Sequence, residues 1–178
     1  MSHEIRQLFE SRHVQEYLDI DKDRLFHWVK TKRLINPAIE GRGRGKKSKF
    51  SFENLLDLAL TKELTNYGVE LNMIKDILSG ISNYSLDRKS RIKKTIWQTF
   101  KDRRSHYEKK GCVLTIEWGR LEEEWVFDLL EGEEILEQLH EDILLLSWEA
   151  VPAIKSILLI NIFGIIDSLE KKVGMKFE

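Results

Sequence analysis

The chain has 178 residues, 42% of them hydrophobic and 33% charged, with a formal net charge of −1. That length fits one domain or two small ones, and the composition is that of a globular chain. No apolar run is long enough to span a bilayer, and the single cysteine, Cys112, excludes an internal disulfide and a cysteine-rich zinc site. The longest apolar run, Ile157 to Ile166, is interrupted by Asn161 and Gly164, and the opening MSHEIRQLFES has no apolar signal core, so a cytoplasmic protein with no membrane partner is expected. The near-neutral total conceals a split. Up to Lys110 there are 24 Lys and Arg against 15 Asp and Glu, net +9; beyond it there are 5 against 15, net −10. A basic half and an acidic half suit a chain with one end on nucleic acid and one end kept off it.

In chain order, Val14 and Leu18 form a short amphipathic pair, and Asp19-Ile20-Asp21 follows as a tight turn. Asp21 is placed to cap a second helix by accepting from the backbone N–H of Asp23 or Arg24. Ile20, apolar inside a turn, is expected to plug the corner between two packed helices. Leu25, Trp28 and Val29 stand at i, i+3 and i+4, one buried stripe, which leaves Lys22, Arg24, His27 and Lys30 on other faces. Pro37 ends any helix beyond Asn36. The run GRGRGKKSK at 41–49 holds no acid. Its glycines let backbone approach a partner closely, and Arg42 and Arg44 can clamp phosphates, with Lys46, Lys47 and Lys49 adding charge. Ser51 is positioned to cap a third helix from Phe52 to about Tyr67, closed by Gly68; Leu71, Ile74, Ile77 and Leu78 predict a short fourth. Helix, turn, helix, basic glycine loop, helix pair is the order of a winged helix-turn-helix, in which one helix enters the major groove and a basic loop lies on the neighbouring backbone.

These residues carry a resemblance. Leu25-Phe26-His27-Trp28-Val29-Lys30-Thr31, then Leu34-Ile35-Asn36-Pro37, the glycine-arginine-glycine at 43–45, the strand ending in Phe50-Ser51-Phe52, and Gly68-Val69 with Leu71 and Ile74 behind it are similar to the DNA-binding domain of MerR-type transcription regulators. The resemblance covers roughly residues 10–80. It implies a compact module of two helix pairs and a wing, usually dimeric, that acts on promoter DNA, where RNA polymerase is the further partner. Three positions depart from the family pattern. Phe26 stands where many members have arginine, Arg24 where they have threonine, and Lys32-Arg33 where they have a glycine before Leu34, with one residue apparently added.

Gly80 to Tyr84 divides this segment from the rest. Ser85 can cap a long basic helix from Leu86 to about Lys109, with Ile92, Ile96, Phe100 and Tyr107 as a narrow apolar stripe and Trp97 beside it. A narrow stripe packs on one neighbour, either the same helix of a second copy or the chain's own C-terminal part. Because MerR-type proteins commonly pair through a helix at this place, the four stripe residues are candidate dimer contacts. Gly111 breaks the helix. Cys112 to Trp118 is β-rich, Gly119-Arg120 reads as a turn, and Glu124 to Leu130 alternates, so a hairpin is expected. Gly132 precedes a helix from Glu133 to about Leu145, Pro152 marks another break, Lys155 to Ile160 reads as a short strand, and Asn161 can cap a last helix holding Ile162, Ile165, Ile166, Leu169 and Val173. The expected fold is mainly α with a small α+β C-terminal unit, divided as 1–82 winged helix-turn-helix, 83–110 long linking helix and 111–178 acidic domain.

Trp118, Trp125 and Trp148 lie in that last part, where they line either an effector pocket, as MerR-type proteins often have there, or a small core. Cys112, opening a strand with no partner cysteine, reads as a small buried hydrophobe rather than a sensor. The 5 histidines show no paired metal spacing, and Glu122-Glu123-Glu124 with Glu131, Glu133 and Glu134 read as a solvated face. There is no P-loop, nucleophile elbow or HExxH, so neither an enzyme nor a cofactor is expected. The leading expectation is a dimeric, sequence-specific regulator of promoter DNA with or without a small effector. Competing readings are an architectural, excisionase-like DNA-bending protein and a winged-helix scaffold that contacts protein.

Overall fold

The computed structural model describes residues 7–41, 43, 46–83, 95–110, 112–119, 124–131 and 154–177; for 117–119, 124–128 and 154–158 it describes the backbone alone. In chain order the elements are β1 (Phe9–Glu10), α1 (Ser11–Leu18), α2 (Lys22–Phe26), β2 (Lys49–Phe50), α3 (Phe52–Asn66), α4 (Leu71–Ser82), α5 (Ile96–Asp102), α6 (Arg104–Lys110), β3 (Cys112–Gly119), β4 (Glu124–Glu131), β5 (Ile154–Ile160) and α7 (Ile162–Val173). They form two compact units, Met1–Leu78 with Ile165–Glu178, and Ser79–Gly164. The last stretch of chain therefore clusters with the amino-terminal unit and not with residues 111–164.

The first unit is built round α3. Phe52, Leu55, Leu56, Leu58, Ala59, Leu60, Thr61 and Leu64 are all buried, so this helix is apolar on nearly every side, as a central helix must be. Thr61 is the polar exception, and its hydroxyl donates to the Asp57 carbonyl at 2.7 Å. Ser51 caps α3 as its position predicts, accepting from Asn54 N–H at 3.2 Å. At the other end Gly68 takes φ +81, where only glycine is unstrained, and Val69 N–H closes on the Leu64 carbonyl at 3.0 Å. Phe9 and Phe50 face each other across a two-residue ladder of β1 and β2, both buried.

The helix pair α1–α2 follows the sequence reading closely. Val14, Leu18, Ile20, Leu25, Trp28 and Val29 are buried, and Ile20 fills the turn as expected. Asp21 caps α2 by accepting from Arg24 N–H at 2.7 Å. This backbone hydrogen bond is the main reason the Asp21 carboxyl is held below its usual range. Lys62 reaches from α3 to the carbonyls of Leu18 at 2.8 Å and Asp19 at 3.3 Å, a cation on the negative end of α1.

Just before Leu34, where the resemblance suggests one added residue, the backbone leaves the α-helical register. Beyond Phe26, α2 widens into a π-helical turn over His27–Thr31, with Lys32 N–H bonded to the His27 carbonyl at 2.8 Å. One added residue is what a π turn accommodates without breaking the helix. Arg33 then takes φ +51, the left-handed conformation, and Leu34 N–H closes on the Trp28 carbonyl at 2.9 Å. The left-handed turn is kept without the glycine that would adopt it freely.

The C-terminal segment completes this unit. The Phe177 ring stacks on Phe52, centroids 5.2 Å apart, and Lys172 Nζ donates to the Tyr17 carbonyl at 2.7 Å.

In the second unit, the order β4-β3-β5 makes a three-stranded antiparallel sheet. The hairpin read from the alternation is present in register, Cys112 opposite Glu131 and Trp118 opposite Trp125 by backbone pairing. Asn161 caps α7, accepting from Gly164 N–H at 2.8 Å.

The long helix expected over 86–109 is not continuous in its described part. Thr95 and Gln98 form a capping box at the start of α5, and the chain breaks at Arg103 (φ −113, ψ 13) before α6 begins. Ile96, Phe100 and Tyr107, expected as dimer contacts, are fully buried within the single chain. Phe100 stacks on Tyr107 at 5.5 Å and lies against Phe163 at 6.3 Å. Ile96, Phe100 and Tyr107 thus pack within their own chain, and these three side chains offer no free surface to a second copy. Ile92, the start of that helix, the expected helix 133–145 and Trp148 lie outside the described residues.

Candidate nucleic-acid interface

Two elements carry the basic residues singled out above. The first is α2 with its π turn. Lys22 and Arg24 are exposed in its first turn, His27 opens the π turn half-buried, and Lys30 follows half-buried. The Arg24 guanidinium lies over the Trp28 ring, 5.7 Å from its centroid, which anchors the cation near the surface rather than leaving it to swing.

The second is the segment 39–49, closed at its base by reciprocal backbone bonds. Ile39 N–H donates to the Lys49 carbonyl at 3.0 Å, and Lys49 N–H to the Ile39 carbonyl at 2.9 Å. Gly41 is required inside it, because a Cβ there would collide with the Lys46 carbonyl oxygen and lie 2.7 Å from Lys47 C and Ser48 N. The Gly41 N–H is satisfied by the Ser48 hydroxyl at 3.2 Å, and Gly43 takes φ +91. Lys46, Lys47 and Lys49 are all exposed. Arg42 and Arg44 lie outside the described residues.

Residues not singled out from sequence hold these two elements in place. Asn54 is the main one. Its side-chain oxygen accepts from Ala38 N–H at 3.0 Å and Ser51 N–H at 3.2 Å, while its amide donates to the Asn36 carbonyl at 3.2 Å. One side chain thus ties the start of α3 to the chain on both sides of Pro37. Glu40 pairs with Lys30 at 3.4 Å, linking the end of the π turn to the base of the 39–49 segment. Glu10 caps α1 and pairs with Lys47 at 3.1 Å and Arg12 at 3.7 Å. The hydrogen bond from Lys47 is the largest cause holding the Glu10 carboxyl below its usual range. Ser51 marks the helix start in the sequence, but nothing there singles out Asn54 as the residue that ties it to the chain around Pro37. The acids could not be assigned, since salt-bridge partners 10 and 37 residues apart leave no local pattern.

Exposed ion pairs of this kind are weak, so Lys30 and Lys47 can exchange a carboxylate for a phosphate at little cost. Acid partners also limit these lysines to a few positions, which lowers the entropy lost when an anion arrives. The arrangement presents cations from a capped helix and from an adjoining closed loop, with a rigid α3 behind both.

Trp118 and Trp125 sit opposite each other on β3 and β4 by backbone register. Among the described residues, no helix is long and apolar enough to cross a membrane. No curated protein matches the chain. A family model described as MerR HTH family regulatory protein matches residues 9–81, which include the helix pair, the 39–49 segment, α3 and most of α4. A match of this kind points to a DNA-binding transcription regulator. Residues 9–81, less than half of the chain, are thus similar to the MerR helix-turn-helix regulatory proteins.

Proposed function

We propose that the chain is a sequence-specific double-stranded DNA-binding regulator that works as a homodimer at promoter DNA. The observation that carries this reading is the closed, lysine-bearing 39–49 segment tied by the Lys30–Glu40 pair to the end of α2, within a MerR-type segment. In this reading 39–49 is the wing. Lys22, Arg24, His27 and Lys30 address the major groove, and Arg42, Arg44, Lys46, Lys47 and Lys49 hold phosphates or the adjoining minor groove. Two modules meet half-sites about 34 Å apart, or a multiple, on a pseudo-palindrome. If the protein distorts the promoter spacer, part of its specificity is deformation energy, and RNA polymerase is the partner that reads the result.

The acidic part beyond Lys110 serves assembly or senses a small effector near Trp118, Trp125 and Trp148. Dimer contacts then come from surfaces other than Ile96, Phe100 and Tyr107, since those are buried. The test is the salt dependence of duplex binding for Lys46→Ala with Lys49→Ala. Each lost phosphate contact flattens the slope of log K against log salt by about 0.9 and lowers affinity on all sequences alike. A double variant with the parent's slope and affinity would remove the wing assignment.

A further inference from the structure

On the exposed face of α2 stands an apolar side chain that the basic reading does not use. Phe26 is 60% exposed, while Leu25, Trp28 and Val29 beside it in the sequence are buried. Lys22 lies four residues before Phe26 and Lys30 four after it, so the three share one face of the helix. Asp23, three residues before, stands on the same side. A phenyl ring this open contributes only part of its surface to packing in its own unit. Its placement, between two cations and on the helix whose end is tied to the 39–49 segment, suits a polyanion with apolar groups exposed along a groove. Duplex DNA has such groups only as the C5-methyl groups of thymine in the major groove, where phenylalanine is a known contact.

Resting on the DNA reading above, we propose that Phe26 is a specificity-determining residue that packs on a thymine C5-methyl in each half-site. Lys22 and Lys30 flank it in the major groove. An arginine at this position would favour a guanine edge or a phosphate; phenylalanine has no donor to offer either, so it discriminates through the methyl alone.

The experiment uses the full chain and the duplex it selects from a random pool. Each thymine of that duplex is replaced in turn by deoxyuridine, which deletes the methyl and nothing else. The parent is expected to lose about fourfold in affinity at one symmetry-related thymine per half-site, the change that burying one methyl group gives. Phe26→Ala should be indifferent to that replacement, and Phe26→Leu should keep part of the effect. Neither variant disturbs the core, because the ring is exposed. A parent that binds its selected duplex specifically yet responds to no deoxyuridine, or responds as Phe26→Ala does, overturns the Phe26 assignment and leaves the regulator reading standing. A parent that selects no sequence overturns both.

Discussion

Arg33→Gly should stabilise the protein, an unusual outcome for glycine at an exposed position. Arg33 holds φ +51 at the end of the π turn. A left-handed backbone costs a non-glycine residue roughly 1–2 kcal/mol. Glycine removes that strain but adds about 0.4–1 kcal/mol of unfolded-state entropy. The difference is a gain of about 0.5–1 kcal/mol, a rise in Tm of roughly 2–8 °C if the amino-terminal unit unfolds alone or roughly 1–4 °C if it unfolds with the whole chain. Differential scanning calorimetry of the free protein measures it. Arg33→Ala is the control, since it removes the same side chain, keeps the strain and should leave Tm within about 1 °C of the parent. If Arg33→Gly melts at or below the Arg33→Ala temperature, position 33 is not strained, and the account of how α2 absorbs its added residue is wrong.

Other consequences are as direct. Gly41→Ala should force the 39–49 segment open, because its Cβ meets backbone rather than a movable side chain; duplex affinity at low salt should fall on the order of tenfold while the circular dichroism of the helices is unchanged. Asn54→Ala removes the partners of Ala38 N–H, Ser51 N–H and the Asn36 carbonyl, and chemical denaturation should show a loss of about 1–3 kcal/mol. In the second unit, burial pushes the Tyr107 phenol above its usual 10.0, with the Arg103 hydrogen bond pulling back less strongly. Folding therefore favours the protonated phenol, so its contribution is intact below pH 10 and is lost as pH rises through the raised value. Tyr107→Phe should abolish that part of the alkaline decline in stability; an unchanged alkaline limb would mean that Tyr107 is not its source.

Much of the amino-terminal unit was legible because its signals are local. Asp21, Ser51 and Gly68 mark helix ends by side-chain chemistry or backbone freedom within a few residues, and Leu25, Trp28 and Val29 declare one face by spacing. The β1 strand was not legible, being two residues long and too short for any period. The π turn could be suspected only from the added residue, because hydrogen-bond register leaves no trace in composition. The break at Arg103 was hidden by arithmetic. Phe100 and Tyr107 are seven residues apart, two helical turns, so the stripe reads on across the interruption. That the stripe faces its own chain, and that Phe177 docks on Phe52, are long-range pairings that periodicity does not encode.

Among the cations of the 39–49 segment and of α2, the partners each one holds distinguish them. Lys47 is paired with Glu10, Lys30 is shared with Glu40 and Arg24 is held over Trp28, while Lys46 and Lys49 are exposed. A contact map on DNA should therefore show Lys30 leaving Glu40 and Arg24 keeping its place over the indole.

The most direct measurement is selection of bound sequences from a random duplex pool by the full chain, followed by the affinity of the winner and of random DNA across a salt series. The account predicts an enriched site with two-fold-related halves about 34 Å apart or a multiple, bound more tightly than random DNA at every salt, with a steep salt slope for both. A steep slope without enrichment would mean an architectural DNA-bending protein, and no binding even at low salt would mean that the lysine-bearing segment and α2 serve a protein partner instead.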